Sequence, residues 1–264
     1  MYVGGGFTTF DGVSRPGLVR LNDDGKVDVS FGQTTGVDGP VYAIAVYPTN
    51  TIHAGKIVIG GSFTMVNGVP RSNIARLNAD GTLDTTFNPR AGADAEVRTV
   101  KLQLDGKVLL GGAFTHVGNL PSSHIARLNA DGSVDGSFNI GDGTDGTVFA
   151  LALQADGRVL VGGDFNQASG VTRRRITRLM PDGTVDPSIN FGSGANDFIA
   201  ALVVQPDANI VLAGGFTAFN GEPRTRIARL FGGSMAGSGQ ITFGSAYYTV
   251  NEDGTNAVIT FRRV

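Results

Sequence analysis

The sequence contains no cysteine and no tryptophan, and it has few lysines and glutamates for its 264 residues. Without cysteine, the chain can form neither disulfide bonds nor thiolate metal sites. The 23 acidic residues include only three glutamates, and the 21 basic residues include only four lysines. Because lysine and glutamate are good helix formers, their scarcity argues against long exposed helices.

Long apolar runs and a strong charge imbalance are also missing. No apolar stretch approaches the ~20 residues that span a bilayer, and the opening MYVGGGFTTF lacks the charged and apolar regions of a signal peptide. The formal net charge of −2 argues against a large basic surface. We therefore expect no membrane span and no nucleic-acid partner, and we expect any export signal to lie outside this stretch.

Glycine, by contrast, is abundant at 40 of 264 residues, and much of it belongs to a repeat. A G-G-x-F pattern marks each copy, with a gap of 56 residues between the first two markers and 51 between later ones. The markers are Phe7, Phe63, Phe114, Phe165 and Phe216. A period near fifty that holds several strands predicts propeller blades, because each repeat must stack on its neighbours to bury both faces.

Turn signals divide each repeat into four antiparallel strands. In the repeat around Phe114, the segments LDG and ADG are typical of three-residue hairpins with glycine in the left-handed region, and GN is a two-residue hairpin signal. The glycine pair before the marker indicates a close backbone approach between blades, or a bulge. We predict an all-β fold, a β-propeller of four-stranded antiparallel blades with about five repeats, plus a short C-terminal β segment.

Both ends of the repeat array look incomplete. The first blade lacks its initial strand, and the last has no DGxxD strand after Leu230. We assign residues 1–232 to the propeller repeats, 233–239 to a linker, and 240–264 to a separate β segment. Whether five blades close on themselves, or other residues complete a larger ring, stays open at this level.

The octet IARLNADG occurs at 74–81 and again at 125–132, with looser versions elsewhere. If ADG is the hairpin loop, the residues directly opposite each other across the ladder include an arginine and an aspartate eight positions later. Opposite charges placed this way stabilise a sheet by roughly 0.2–1 kcal/mol. The predicted structural pairs are Arg20 with Asp28, Arg76 with Asp84, Arg127 with Asp135, and Arg178 with Asp186.

The stretch DGKVLLGGAFTHVGNLPSSHIARLNADGSVDGSF, residues 105–138, closely resembles the delta-60 repeat, a bacterial β-propeller repeat of unassigned function. The likeness extends over residues 2 to 232, since GGxF, IARL and DGxxD return in order. Such repeats occur in large, usually exported proteins. The resemblance therefore implies a module of a secreted or cell-surface bacterial protein.

Residues 240–264 resemble the opening of a Calx-beta domain, with about a quarter of that β-sandwich present. The resemblance is carried by Phe243, Tyr248, Val250, Glu252 and Gly254. In calcium-binding members of that family the glutamate is a ligand, which implies Glu252 here. Because calcium takes six to eight oxygen ligands, Glu252 alone is an incomplete site, and we expect calcium as a cofactor only of a full Calx-beta domain.

A second set of arginines follows the middle hairpin of four repeats: Arg15, Arg71, Arg173 and Arg224, with Ser122 in the remaining copy. These residues either form a rim that binds acidic polysaccharide or an acidic protein surface, or pair with aspartates of neighbouring loops. The segments NADGTLD and NADGSVD superficially echo calcium loops, but turn-forming aspartate explains them better, because the bidentate glutamate and flanking helices of an EF-hand are missing.

Three function classes remain, and we expect no enzyme. A structural, adhesive or assembly module is favoured, because nearly every distinctive residue recurs with the repeat whereas catalytic sites tend to be asymmetric. A glycan- or protein-binding module is the alternative. A propeller enzyme comes third and would need acids gathered with His53 or His116. Expected partners are proteins, including a second copy bound through the C-terminal segment, or polysaccharide.

Overall fold

The computed structural model describes residues 1–32 and 36–231, and the backbone of a strand pair at 241–243 and 261–263. These residues form strands, turns and bends without an α-helix, so the all-β prediction is confirmed. No helix able to span a bilayer occurs in this part of the chain.

The described strands are short, between two and six residues. In chain order they are β1 (Tyr2–Gly4), β2 (Thr9–Phe10), β3 (Val13–Ser14), β4 (Leu18–Arg20), β5 (Val41–Val46), β6 (Ile57–Gly61), β7 (Met65–Val66), β8 (Val69–Pro70), β9 (Ile74–Leu77), β10 (Val97–Leu102), β11 (Val108–Gly112), β12 (His116–Val117), β13 (Leu120–Pro121), β14 (Ile125–Leu128), β15 (Val148–Leu153), β16 (Val159–Gly163), β17 (Gln167–Ala168), β18 (Val171–Thr172), β19 (Ile176–Leu179), β20 (Ile199–Val204), β21 (Ile210–Gly214), β22 (Ala218–Phe219), β23 (Glu222–Pro223), β24 (Ile227–Leu230), β25 (Ile241–Phe243) and β26 (Phe261–Arg263).

Each full repeat builds one antiparallel blade from three such strands, in the order β5-β6-β9, β10-β11-β14, β15-β16-β19 and β20-β21-β24. In the first three of these blades a fourth strand adds a single bridge, for example Leu77 to Leu83. It is shorter than predicted because the Asp84 carboxylate accepts the Thr86 N–H at 3.0 Å, which turns the chain out of the ladder. The four-stranded blade is thus confirmed, with a reduced last strand.

The middle hairpin is a separate small ladder in each repeat, such as β7 with β8. The sequence predicted two long strands continuing into this hairpin, and that prediction was wrong. In the segment that follows the hairpin, a residue with left-handed backbone separates the hairpin from the third strand of the blade, as at Asn73 (φ 65°) and His124 (φ 68°). The hairpin tip itself matches its signal, with positive φ at Asn67 and Gly68.

Successive blades stack through the glycine pair. A Cβ atom on Gly60 would lie 2.6 Å from Cγ1 of Val97 in the next blade, and one on Gly111 would lie 2.5 Å from Cγ1 of Val148. The second glycine, as at Gly112, lies beside the register shift in the first strand of its own blade. Both interpretations of the pair are therefore correct, and the stacking of blades on their first strands is that of a β-propeller.

The terminal blades differ from the internal ones. In the first, β1 pairs with β4 only, and among the described residues no strand corresponds to β5. In the fifth, Ala213 occupies the place of Gly60 and Gly111. Beyond the propeller, β25 pairs antiparallel with β26, with Thr242 opposite Arg262.

Candidate functional site

The arginine and aspartate predicted to face each other form the centre of a buried ionic cluster. In the second blade, Arg76 Nε donates to Asp84 Oδ2 at 2.7 Å, and Lys56 Nζ donates to the same oxygen at 2.7 Å. The other oxygen, Oδ1, accepts the N–H and the hydroxyl of Thr86 at 3.0 and 2.6 Å. Arg76 and Asp84 are 1% and 3% exposed, so the ions are shielded from water and fully paired.

This cluster also joins one blade to the next. Arg76 Nη1 donates to the carbonyl oxygen of Ala130, in the last hairpin of the following blade, at 2.7 Å. Arg127 makes the same bond to Pro181 O at 2.7 Å, and Arg20 to Ala79 O at 2.5 Å. The arginine therefore binds its own blade through carboxylate and hydroxyl groups and the next blade through a backbone carbonyl.

The four predicted pairs all lie in contact, with differences in burial. Arg127 Nε to Asp135 Oδ2 is 2.7 Å and Arg178 Nε to Asp186 Oδ2 is 2.8 Å, both buried. Arg20 Nε to Asp28 Oδ2 is also 2.7 Å, but these side chains are 24% and 17% exposed. The pair in the first blade is thus the most accessible to water.

Burial and hydrogen bonding act in opposite directions on these aspartates. Desolvation alone raises the pKa of Asp84, but hydrogen bonds from Lys56, Thr86 and Arg76 outweigh it and hold that pKa well below its usual range. Burial also raises the pKa of Asp135, but hydrogen bonds outweigh it, chiefly the one from Lys107. The pKa of Asp135 is therefore lowered as well. The carboxylates are therefore held ionised, which suits ion pairing and not proton transfer.

Sequence reasoning missed two members of each cluster. One is the cation after the first hairpin, Lys56, Lys107 or Arg158, and the signal for it was the recurring basic residue in AGK, DGK and DGR. The other is the hydroxyl two residues after the aspartate, and the signal was D-x-S or D-x-T in each of the four copies that carry this aspartate. These hydroxyl residues are Ser30, Thr86, Ser137 and Ser188.

The fifth blade has no such cluster among its described residues. Arg229 takes the place of Arg76, but its Nε donates to Gln205 Oε1 at 2.7 Å and its Nη2 to Asp207 Oδ2 at 2.5 Å. Both Arg229 and Asp207 are more than half exposed. The last blade therefore keeps the arginine of the repeat without its buried surroundings.

The second arginine set makes no ion pair with the described residues. The guanidinium groups of Arg71, Arg173 and Arg224 donate to the carbonyl oxygen of the preceding residue, at 2.7, 3.1 and 2.7 Å. Arg15 makes the same bond and reaches Val29 O at 3.4 Å. No described contact joins any two of them, and the alternative of pairing with loop aspartates is not what the structure contains.

The remaining candidate residues from the sequence are the aspartates of the turns and the histidines. Asp80 Oδ1 accepts the N–H and hydroxyl of Thr82, which uses its carboxylate in the hairpin. His116 lies opposite Pro121 in the middle hairpin of the third blade, and His124 lies outside that ladder. His116 Nδ1 is 3.2 Å from Asp94 Oδ2.

Asp94 was missed in the sequence, although aspartate recurs before the first strand of a blade. Burial opposes its ionisation, but N–H donors of His116 and Thr115 prevail and lower its pKa to about 2. Three or more His, Cys, Asp or Glu side chains placed to hold a metal ion do not occur among the described residues. Glu252, the calcium candidate, lies outside the described residues.

Solved structures with a similar fold share little sequence with this chain. The WD40 β-propeller domain of Doa1 has a TM-score of 0.47 at 12% identity, covering 74% of this chain and 53% of that one. The extracellular domain of a putative one-component system from B. thetaiotaomicron has a TM-score of 0.47 at 15% identity, covering 82% and 25%. A catalytically inactive virginiamycin B lyase from Staphylococcus aureus has a TM-score of 0.39 at 15%, covering 72% and 52%.

This chain spans about half or a quarter of the length of those solved chains. No curated protein has a sequence that matches it. A family model does match, over residues 1–31, 55–87, 103–138, 154–188 and 205–232, which together make up more than half of the chain. One matched segment falls in each of the five repeats, and the segments leave out the first strand of each full blade, β5, β10, β15 and β20. The chain belongs to the β-propeller family described as a domain of unknown function, DUF5122.

Proposed function

We propose that this chain is a non-catalytic assembly module of a larger secreted or cell-surface bacterial protein. The polar residues of its repeat are engaged in joining blades, and the aspartates of the internal clusters are held ionised by their partners. The extracellular assignment follows from the resemblance of residues 105–138 to the delta-60 repeat. We keep residues 1–232 as the propeller and 240–264 as a Calx-beta-like segment within the same proposal.

A sheet face of the fifth blade that is exposed among the described residues carries this proposal. In the three preceding blades the isoleucine that starts the third strand is buried against the next blade, at 0% exposure for Ile74 and 1% for Ile125 and Ile176. The equivalent Ile227 is 60% exposed, and Phe231 beside it is 94% exposed. In the preceding blades, the equivalent face is covered by the sheet of the next repeat. We therefore assign a sheet from a second copy of this chain as the partner that covers the face at Ile227.

Replacing Ile227 with aspartate is expected to weaken self-association at least about tenfold, because the contact would bury an unpaired carboxylate. The measurement is light scattering after size exclusion over a concentration series of the whole chain. Val171→Asp is the matched control, since Val171 is also a partly exposed strand residue, at 41%, in a hairpin away from this face.

A strictly monomeric wild-type chain at high concentration would contradict the assembly role. If the wild-type chain is monomeric and Ile227→Asp lowers its melting temperature, the face is covered by another segment of the same chain, and the second copy is the wrong occupant. Association that survives in Ile227→Asp but is lost in Val171→Asp would move the interface to the hairpins.

A second candidate function is binding of acidic polysaccharide at the hairpin arginines. The observation that favours it is the lack of a carboxylate partner for Arg71, Arg173 and Arg224 within the described residues, which leaves their charge free for a ligand. Electrostatic attraction of this kind is sensitive to salt.

Changing these three arginines to serine, the residue found naturally at 122, is expected to reduce retention on a polyuronate column to near the void volume at low salt. The control changes Lys26, Arg90 and Lys101 to serine, which removes the same charge from exposed positions outside the set. Equal retention of both triple variants would assign any binding to net charge and would exclude this rim as a site.

A further inference from the structure

The hairpin position that carries arginine in four repeats carries Ser122 in the third blade. Nothing in the repeat architecture requires this exception, because the flanking strands β13 and β14 keep their bounds and pairing. The exception therefore marks one place where a single blade departs from its neighbours.

In the first blade, Arg15 occupies the position equivalent to Ser122, and its side chain fills the adjacent space. Arg15 donates to Ser14 O at 3.0 Å and to Val29 O at 3.4 Å, and its Nε is buried without a partner. The cavity that Arg15 lines there, with Leu18 and Phe31, holds only about 20 Å³. The Nε of Arg71 in the second blade is likewise buried without a partner.

In the third blade Ser122 lines an open cavity of about 510 Å³, whose walls come from that blade alone. Its walls include the apolar side chains of Leu120, Phe138 and Ile140, and Ser122 itself is only 8% exposed. A volume of this size falls in the range of small-ligand sites. The cavity thus has room for a long side chain where the other blades place their own arginine.

Of the charged groups that line the cavity, Arg127 and Asp135 pair with each other, and the remaining carboxylate, that of Asp142, suits a cation. Asp142 lines it, is exposed, and has no hydrogen bond or ion pair with any described residue. The equivalent residues in the second and fourth blades are Ala91 and Ser193, so this carboxylate is particular to the third blade. Gly136 also lines the cavity and corresponds to Val29, whose carbonyl accepts the guanidinium of Arg15.

We propose that this cavity binds the guanidinium group of an arginine side chain from a partner protein. The alkyl part of that arginine packs on Leu120 and Phe138, and the guanidinium donates to the Asp142 carboxylate and to the Gly136 carbonyl. The chain's own arginines at this position in other blades are the internal model for the ligand. This site is separate from the sheet face of the fifth blade, so either proposal can fail without the other.

The probe is N-acetyl-L-arginine amide, titrated into the wild-type chain by calorimetry and by amide chemical shifts. We expect saturable binding at one site with a Kd on the order of 1 mM, which suits a single side chain. N-acetyl-L-lysine amide should bind about tenfold more weakly, because its ammonium cannot make the paired bonds of a planar guanidinium. Equal binding of the two amides, or no saturation, would overturn the proposal.

Two variants locate the site. Ser122→Arg restores the residue of the other repeats, fills the cavity and should abolish binding while the melting temperature is kept or raised. Asp142→Asn changes an exposed residue and should weaken binding about tenfold without affecting the fold. Undiminished binding in both variants would place the ligand elsewhere and refute the assignment.

A reciprocal variant tests whether the cavity is sufficient. Arg71→Ser combined with Ala91→Asp places the serine and the aspartate of the third blade at the equivalent positions of the second, and the stoichiometry is expected to rise from one to two. A stoichiometry that stays at one would show that the paired serine and aspartate do not make the site.

A last comparison separates a partner protein from a free metabolite as the ligand. Free L-arginine is expected to bind no more tightly than the capped amide. Markedly tighter binding of the free amino acid would show that the ligand is a metabolite and not a protein side chain.

Discussion

Replacing Gly112 with alanine is expected to destabilise the propeller by about 3 kcal/mol or more, enough to unfold much of the chain at 37 °C. A Cβ atom on Gly112 would overlap the carbonyl oxygen of Glu96 and lie 3.0 Å from Cα of Val97. Both are backbone atoms at the start of the neighbouring strand β10, Glu96 directly before it and Val97 at its first residue, so no side chain can rotate away to make room. The measurement is the midpoint of urea unfolding.

Gly136→Ala is the matched control for this change. A Cβ atom on Gly136 meets nothing within 4 Å, and its backbone is not in the left-handed region, so we expect a change within about 0.5 kcal/mol. A loss for Gly112→Ala as small as that of the control would show that β10 can move away, and that the second glycine is not required by packing.

The first glycine of the pair should tolerate alanine only where no further blade covers it. Gly111 faces Val148 of the next blade, whereas the fifth blade already carries Ala213 at this place. The natural alanine at position 213 and the exposed side chain of Ile227 lie on the same blade, and both fit a sheet face without a neighbouring blade among the described residues. Ala213 and Ile227 thus both indicate that no described blade covers this face of the fifth sheet, in contrast to the internal sheets.

Replacing Asp84 with alanine is expected to cost about 3–5 kcal/mol, which is the second large effect. The change leaves Arg76 buried and Lys56 nearby without the carboxylate that both contact at 2.7 Å. Asp28→Ala is the control, because the equivalent pair in the first blade is partly exposed to water, and we expect a clearly smaller loss there. The free energy of unfolding of the two variants decides between these values.

The double variant Arg76→Met with Asp84→Ala separates the ion pair from the packing of the site. It is expected to recover part of the loss of Asp84→Ala, because it removes the buried cation left without a partner. Equal losses for Asp84→Ala and Asp28→Ala would mean that burial does not strengthen this contact, and would overturn the account of the cluster.

Acid should weaken the fold through the same carboxylates. The folded pKa values of Asp84 and Asp135 lie below those of the unfolded chain, so their stabilisation is complete above pH ~4 and is lost as pH falls through the folded values. Asp94, with a pKa of about 2, contributes in the same window. The melting temperature of wild type should therefore fall below pH ~4 with a steeper slope than that of Asp84→Ala.

Much of the blade could be predicted because hairpins are local. The distance in sequence between Arg76 and Asp84 is set by a three-residue loop, and the ladder then places the two side chains opposite each other whatever the rest of the chain does. The same locality explains why the turns at Asn67 and Gly68 followed their signals. The one local failure was strand length, because the Asx turn at Asp84 and the left-handed residue at His124 interrupt ladders that apolar patterning alone would extend.

By itself, the sequence determined the repeat, the all-β fold and the partners that lie within one hairpin, because those depend on chain spacing and backbone geometry. Only the tertiary structure decided which residues of different hairpins and blades come together: Lys56 on Asp84, Arg76 on Ala130, the open face at Ile227 and the cavity at Ser122. The physical reason is that burial and contact across blades depend on how sheets stack, and identical repeats acquire different surroundings according to which neighbour covers them.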